Sequence, residues 1–246
     1  MVTNGEQTPL QAIPGNLGDI PIFFCTPNSD GPWPGIIVIH DALGMTEDLH
    51  HHTRWLADSG YLAVAPNLFH WGNRASCLIK TMRDLSKGDK GQAFDDIASV
   101  RSWLINQPGC SGKIGIMGFC YGGGFALALA PNHGYSASAV NYGAIADWGW
   151  KKLAESCPVV ASYGQKDPTL KGQAKKLDEI LTEHEVPHDI KEYEGVGHGF
   201  MNLHSARDSN WIFKALSWAS RTKYDENATV DARRRILAFF NRHLKN

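Results

Sequence analysis

The chain has 246 residues, 43% of them hydrophobic and 20% charged. That apolar share suits a large core and excludes a disordered chain, and the length fits one large α/β domain. Lys plus Arg number 24 against 25 Asp plus Glu, a net charge of −1, so no global field holds a polyanion, and nucleic-acid binding and anionic-membrane binding are disfavoured as main functions.

Residues 1–19 carry no clear periodicity. Their start has neither a basic segment nor an apolar one, so no signal peptide is expected, and no apolar run approaches the roughly 18 residues of a membrane helix. Residues 20–25 (IPIFFC) read as a strand. Residues 28–34 hold a cluster of turn formers, and 35–40 (GIIVIH) form the short continuous apolar run of a buried parallel strand. Residues 46–59 read as a helix that Thr46 can cap and Gly60 can stop. Residues 61–65 (YLAVA) are the next strand, ended by Pro66.

Residues 67–90 are polar and irregular, with a short helix around 79–85, and suggest a surface loop over a site. Residues 92–106 are a stronger helix, 113–119 (KIGIMGF) a strand, and 124–130 an apolar helix. Strands follow at 137–142, 158–163 and 189–193, with a charged amphipathic helix at 170–184 between the last two. Helices near 206–221 and 230–244 close the chain. Strands alternating with helices predict a single α/β domain over residues 1–246, with a mostly parallel sheet flanked by helices on both faces.

The five cysteines, Cys25, Cys77, Cys110, Cys120 and Cys157, are widely spaced and odd in number. No CxxC pair marks a zinc ribbon or a redox motif, and free thiols in a reducing cytosol are the simplest reading. Cys120 stands apart. Gly118-Phe119-Cys120-Tyr121-Gly122-Gly123-Gly124 follows one predicted strand and opens a predicted helix, the context of a nucleophile elbow with Cys in place of Ser. Glycines are needed there because side chains would collide with neighbouring backbone, and the helix N-terminus beneath the sulfur favours thiolate. A glycine-rich turn around a buried cysteine is the alternative. A Walker loop lacks its Gly-Lys-Ser/Thr, and the dinucleotide spacing does not fit.

Two further residues stand just after predicted strands. Asp167 lies in Tyr163-Gly-Gln-Lys-Asp167-Pro and His198 in Gly195-Val-Gly-His198-Gly-Phe200. The order nucleophile, acid, base is that of an α/β-hydrolase. The expected roles are Cys120 attacking a carbonyl carbon, His198 as base and Asp167 orienting the imidazole, with the oxyanion held by the backbone N–H groups of Tyr121 and Ala42.

With His40-Asp41-Ala42-Leu43-Gly44, the strand at 61–66, the cysteine elbow, Asp167 and Gly197-His198-Gly199-Phe200, the chain resembles the dienelactone hydrolase family over roughly residues 20–245. The resemblance implies a monomeric cytoplasmic hydrolase of carboxylic esters or lactones. It implies a small-molecule substrate, an acyl-thioenzyme, and neither cofactor nor metal. It also implies that an acidic side chain in the early loop contacts the resting thiol. Asp41 stands there in place of the family's longer Glu, and a loop cap or salt bridge is its alternative.

Dienelactone-specific members carry an arginine four residues past the histidine, where this chain has Asn202. An amide lacks the guanidinium's charge and fork. Arg74 or Arg83 could substitute, or be solvated surface charges. Asn202 shifts weight toward a broad carboxylesterase or thioesterase, while a redox-sensing or binding protein with a reactive Cys120 is the rival without catalysis. Phe69, Trp71, Trp148, Trp150 and Phe200 could wall an apolar pocket or simply pack. His50, His51 and His52 cannot converge on one metal from consecutive helical positions and are expected at the surface.

Overall fold

A single sheet of eight strands organises the computed structural model, which describes residues 11–203 and 220–245. The strands are β1 (Gln11–Ile13), β2 (Ile20–Cys25), β3 (Trp33–Ile39), β4 (Leu62–Pro66), β5 (Cys110–Phe119), β6 (Ala137–Asn141), β7 (Val159–Gly164) and β8 (His188–Tyr193). Their spatial order is β1-β2-β4-β3-β5-β6-β7-β8. β1 and β2 pair antiparallel, as do β2 and β4, and every pairing from β4 to β8 is parallel. The predicted mostly parallel sheet is therefore the observed one. The short edge strand β1 escaped the sequence reading because three residues carry no measurable period.

The helices are α1 (Glu47–Asp58), α2 (Arg74–Lys87), α3 (Gln92–Ile105), α4 (Tyr121–Ala128), α5 (Asp147–Trp150), α6 (Gln173–Glu183) and α7 (Glu226–Leu244). Helices cover both faces. A Cβ on Gly35 would meet Ile114 and Leu104 of α3, whereas one on Gly115 would meet Leu244 of α7. Ile114 and Gly115 are neighbours on β5 and so point to opposite faces.

Local signals set the boundaries. The Thr46 hydroxyl accepts from the Leu49 N–H at the start of α1, and Gly60 takes φ 86° just past its end. The Asp225 carboxylate accepts from Ala228 N–H and caps α7, which buries Ala228, Ala232, Ile236, Phe239, Phe240 and Leu244 at helical spacing. α4 is buried on every side, as its composition demands.

The stretch 67–90 differs from expectation. It is mostly the ordered helix α2, capped by Asn73 and stopped at Gly88, rather than an irregular loop with one short turn of helix. Only Cys77, Thr81 and Leu85 are buried, one residue per turn, so the apolar stripe is too thin to read against the polar remainder. The predicted helix near 206–221 falls almost wholly on residues 204–219, outside the described residues.

Candidate active site

Parallel strands deliver their C-terminal ends to one edge of the sheet, and the loops leaving β3, β5, β7 and β8 carry the predicted site. β3 lies between β4 and β5, so successive crossovers leave it in opposite directions and open a crevice there. Ile39 pairs with Gly118 at that point, which sets the 40–44 loop beside Cys120.

Cys120 joins β5 to α4 in a tight turn with φ 56° and ψ −123°, a region that costs a non-glycine residue about 1–3 kcal/mol. The neighbouring glycines make the turn feasible. A Cβ on Gly118 would lie 2.0 Å from the Gly122 carbonyl oxygen, and one on Gly122 would lie 2.5 Å from the carbonyls of Ile39 and His40. The latter approach presses the start of α4 against the end of β3, so Tyr121 and the 40–44 loop are held together.

Asp167 follows β7, is buried, and accepts from His198 Nδ1 at 2.5 Å through Oδ2. Its Oδ1 accepts from the Thr169 N–H at 2.9 Å and the Thr169 hydroxyl at 2.6 Å. Burial works against the Asp167 carboxylate, but the hydrogen bonds from His198 and Thr169 and the charge of His198 hold its pKa below the ordinary value. His198 follows β8, bonded through Nδ1 to Asp167 and close enough to Cys120 to feel its sulfur. Burial disfavours imidazolium; the adjacent sulfur and the Asp167 hydrogen bond outweigh it and raise His198 to about 10. The His198 N–H donates to Ser220 O, and Asp225 N–H donates to Phe200 O, so the 220–225 segment buttresses this loop. The structure thus brings Cys120, His198 and Asp167 together, with His198 hydrogen-bonded to Asp167.

The other expected residues fall differently. Asp41 Oδ1 accepts from Leu43 N–H at 2.8 Å and Oδ2 from Asn202 Nδ2 at 2.7 Å. Asn202 is buried, and its carbonyl oxygen takes the Tyr142 hydroxyl at 3.1 Å and His52 Nε2 at 3.2 Å. Phe200 is fully buried against Tyr142 and Tyr193. The expectation that Asn202 and Phe200 line a pocket gives way to a buried polar network and core packing. Trp71 donates to Asp96 and Trp148 to the Leu85 carbonyl, both half-buried. Phe69 packs on His40 and Tyr121, and Trp150 is buried under Lys176. Arg74 reaches the Ala42 carbonyl at 3.3 Å from the start of α2, and Arg83 is exposed on the same helix.

His52 corrects another expectation. It is 1% exposed, bonded to Asn202 and facing Arg233, not at the surface with its neighbours. Tyr142 was not singled out from sequence. Its ring lies 5.1 Å from that of His198, and its φ is 43°. Its position, the first residue after β6 on the edge that carries Cys120, Asp167 and His198, is the signal that could have found it. Among the described residues no group of three or more His, Cys, Asp or Glu could hold a metal, and no helix is long and apolar enough to cross a membrane.

Two of these buried imidazoles predict acid sensitivity. Burial lowers His40 to about 4; burial and then the Arg233 charge lower His52 to about 3. The unfolded chain takes up these protons near pH 6.5, as free histidines do, so below that pH it binds more protons than the fold and stability falls with falling pH. His198, raised instead, gives up its contribution only on the alkaline side. The urea midpoint is expected to drop between about pH 6.5 and 5, before most carboxylates titrate. A flat midpoint over that window would contradict the neutral assignments.

A family model described as the dienelactone hydrolase family matches residues 20–244. The carboxymethylenebutenolidase of Pseudomonas putida is 26% identical over 218 residues, 82% of this chain and 89% of that one. Among solved structures, a candidate dienelactone hydrolase of Klebsiella pneumoniae superposes with a TM-score of 0.74 at 25% identity, covering 94% of this chain and 96% of that one. The dienelactone hydrolase of Anabaena variabilis gives 0.66 at 13% identity, covering 98% and 100%, a likeness of fold.

Proposed function

The chain belongs to the dienelactone hydrolase family and is a hydrolase of ester or lactone bonds, and from that premise we propose that Cys120, His198 and Asp167 carry the reaction through an acyl-thioenzyme. The observation that carries the reading is the His198–Asp167 pair, with Nδ1–Oδ2 at 2.5 Å, set beside Cys120.

His198, raised to about 10, holds the proton on Nε2, the nitrogen left by the Asp167 bond, as Sγ attacks the substrate carbonyl carbon. The carbonyl π pair moves onto oxygen, and the backbone N–H groups of Tyr121 and Ala42 hold that oxyanion. The tetrahedral adduct collapses and expels the alcohol oxygen, which takes the proton from His198. In a lactone this opens the ring and leaves the hydroxyl on the acyl group. Water then gives a proton to His198, attacks the thioester, and releases the carboxylic acid and the sulfur, with the proton left on His198. Asp167 holds the imidazole with its proton on Nδ1 throughout.

The substrate is a small ester or lactone, and the protein acts in the cytoplasm as a monomer without cofactor. A broad carboxylesterase is favoured over a dienelactone-specific enzyme by one observation. The position expected to bind a substrate carboxylate is Asn202, whose amide is occupied inside the protein.

The test is mass spectrometry of the protein mixed with an aryl acetate and quenched within the first turnovers. An acetyl group on the Cys120 peptide that disappears as product accumulates is expected. An adduct that never turns over supports the redox-sensing or binding alternative, and turnover with the acetyl group on another residue overturns the nucleophile.

A further inference from the structure

The imidazole of His40 connects the two residues whose backbone N–H groups are assigned to the oxyanion, and its tautomer can be read from its partners. Nε2 lies 3.0 Å from the Leu68 N–H, a donor, so Nε2 must accept. The ring proton therefore sits on Nδ1 in the neutral imidazole. Nδ1 lies 2.8 Å from the Asp41 carbonyl oxygen and 2.8 Å from the Tyr121 hydroxyl oxygen, so this one N–H is shared between them. The ring is fully buried, and its lowered pKa keeps it neutral over the working range of such a site.

The Asp41 carbonyl belongs to the same peptide unit as the Ala42 N–H. A planar peptide couples the two, so fixing the carbonyl fixes the direction of the N–H. The carbonyl also accepts from Gly44 N–H at 3.0 Å, which closes the turn. Gly44 is a neighbour in that turn and moves with it, whereas His40 is anchored to the end of β3 and, through Leu68, to the segment after β4. On the other side the Tyr121 hydroxyl hangs from the residue that supplies the second N–H.

We infer that His40 is a positioning residue of the oxyanion site, its Nδ1–H aligning the Asp41–Ala42 peptide and tying it to Tyr121 so that both N–H groups converge on one oxygen. The inference rests on the proposed cysteine mechanism and deepens it. No substrate contact is needed for His40, which acts through backbone.

The test separates an aligned oxyanion site from a merely intact fold. A trifluoromethyl ketone of a short acid accepts the Cys120 sulfur at its carbonyl carbon and, with the proton held on His198, places an oxyanion against the two N–H groups. Iodoacetamide alkylates the same sulfur without forming an oxyanion. Three variants are compared with the unmodified protein. In His40→Gln the amide reaches the Nε2 position and can accept from Leu68, but no donor remains for Asp41 O. In His40→Asn the amide nitrogen occupies the Nδ1 position and can donate. Tyr121→Phe removes only the tie to the hydroxyl.

Losing one oxyanion donor costs about 10²–10³-fold, and a misaligned donor loses part of that, so ketone affinity and kcat are expected to fall roughly 10- to 100-fold in His40→Gln. KM and the alkylation rate should stay within about twofold, because neither involves the transition-state oxyanion. His40→Asn should recover most of the loss, and Tyr121→Phe should show a smaller loss of the same kind. Unchanged ketone affinity in His40→Gln overturns the inference. So does a parallel fall of ketone affinity and alkylation that His40→Asn does not recover, since that is general damage. Should His40→Gln fail to fold, unchanged ketone affinity in Tyr121→Phe is the overturning result. If the unmodified protein binds no ketone through Cys120, the cysteine mechanism itself fails and the inference falls with it.

Discussion

Replacing Cys120 with alanine is expected to lower kcat for a short-chain aryl ester by roughly four orders of magnitude or more, to the rate of the bare oxyanion site. Cys120 is the proposed nucleophile, and the β5–α4 turn places it at φ 56°. Asp167→Asn should cost nearly as much, about 10³–10⁴-fold, for a reason visible in the hydrogen bonds. Both donors of Thr169 converge on Oδ1, so an asparagine there must turn its oxygen to Thr169 and its NH₂ to His198. The imidazole then accepts on Nδ1 and carries its proton on Nε2, facing Cys120, where it cannot take the thiol proton. The checks are steady-state kinetics of each purified variant. Equal activity of Cys120→Ala and the unmodified protein removes the nucleophile from the proposal, and an active Asp167→Asn removes the tautomer argument.

Gly118→Ala should act through the backbone, with a large stability loss. Its Cβ would stand 2.0 Å from the Gly122 oxygen and 2.2 Å from the Gly122 carbonyl carbon. No flexible side chain can move aside, so either the elbow opens or β5 shifts against α4. Overpacking of this kind costs about 1–3 kcal/mol and occasionally more, and a backbone-on-backbone clash belongs at the upper end. Turnover should vanish with it, because any relief moves Cys120. Gly72→Ala is the matched control, since its Cβ would find only the Ser76 hydroxyl at 3.6 Å. Urea unfolding and ester turnover on both variants decide the matter, and a Gly118→Ala protein as stable and active as the control would mean that the elbow is looser than its contacts state.

The site was legible in sequence where chemistry constrains residue type and place together. A glycine-flanked cysteine between strand and helix, an aspartate after one later strand and a histidine after the next leave few other readings, and all three arrive at one edge because the strands are parallel. The fold was legible for a similar reason: GIIVIH and YLAVA can only be buried strands. α2 was not, because one buried residue per turn leaves no stripe to see. His52, Asn202 and Tyr142 were not either. Their roles are pairwise hydrogen bonds across 60 to 150 residues of chain, and neither composition nor periodicity encodes such a partner. His40 was visible only as the end of a strand and the first residue of the 40–44 motif. Its importance is a tautomer, which depends on a donor from Leu68.

The support given to the histidine loop by residues 220–225 has a consequence for the order in which the protein comes into being. A ribosome releases the nucleophile turn first, then the acid, then the base, and only afterwards Ser220 and Asp225, whose backbone groups hold that base in place. At roughly 5–20 residues per second, the hundred or so residues between the sulfur and this support take about 5–20 s to make. Throughout that interval the nascent chain carries a thiol with no anchored imidazole beside it. The proposed centre can thus be complete only once residues 220–225 have emerged, about a hundred residues behind the sulfur.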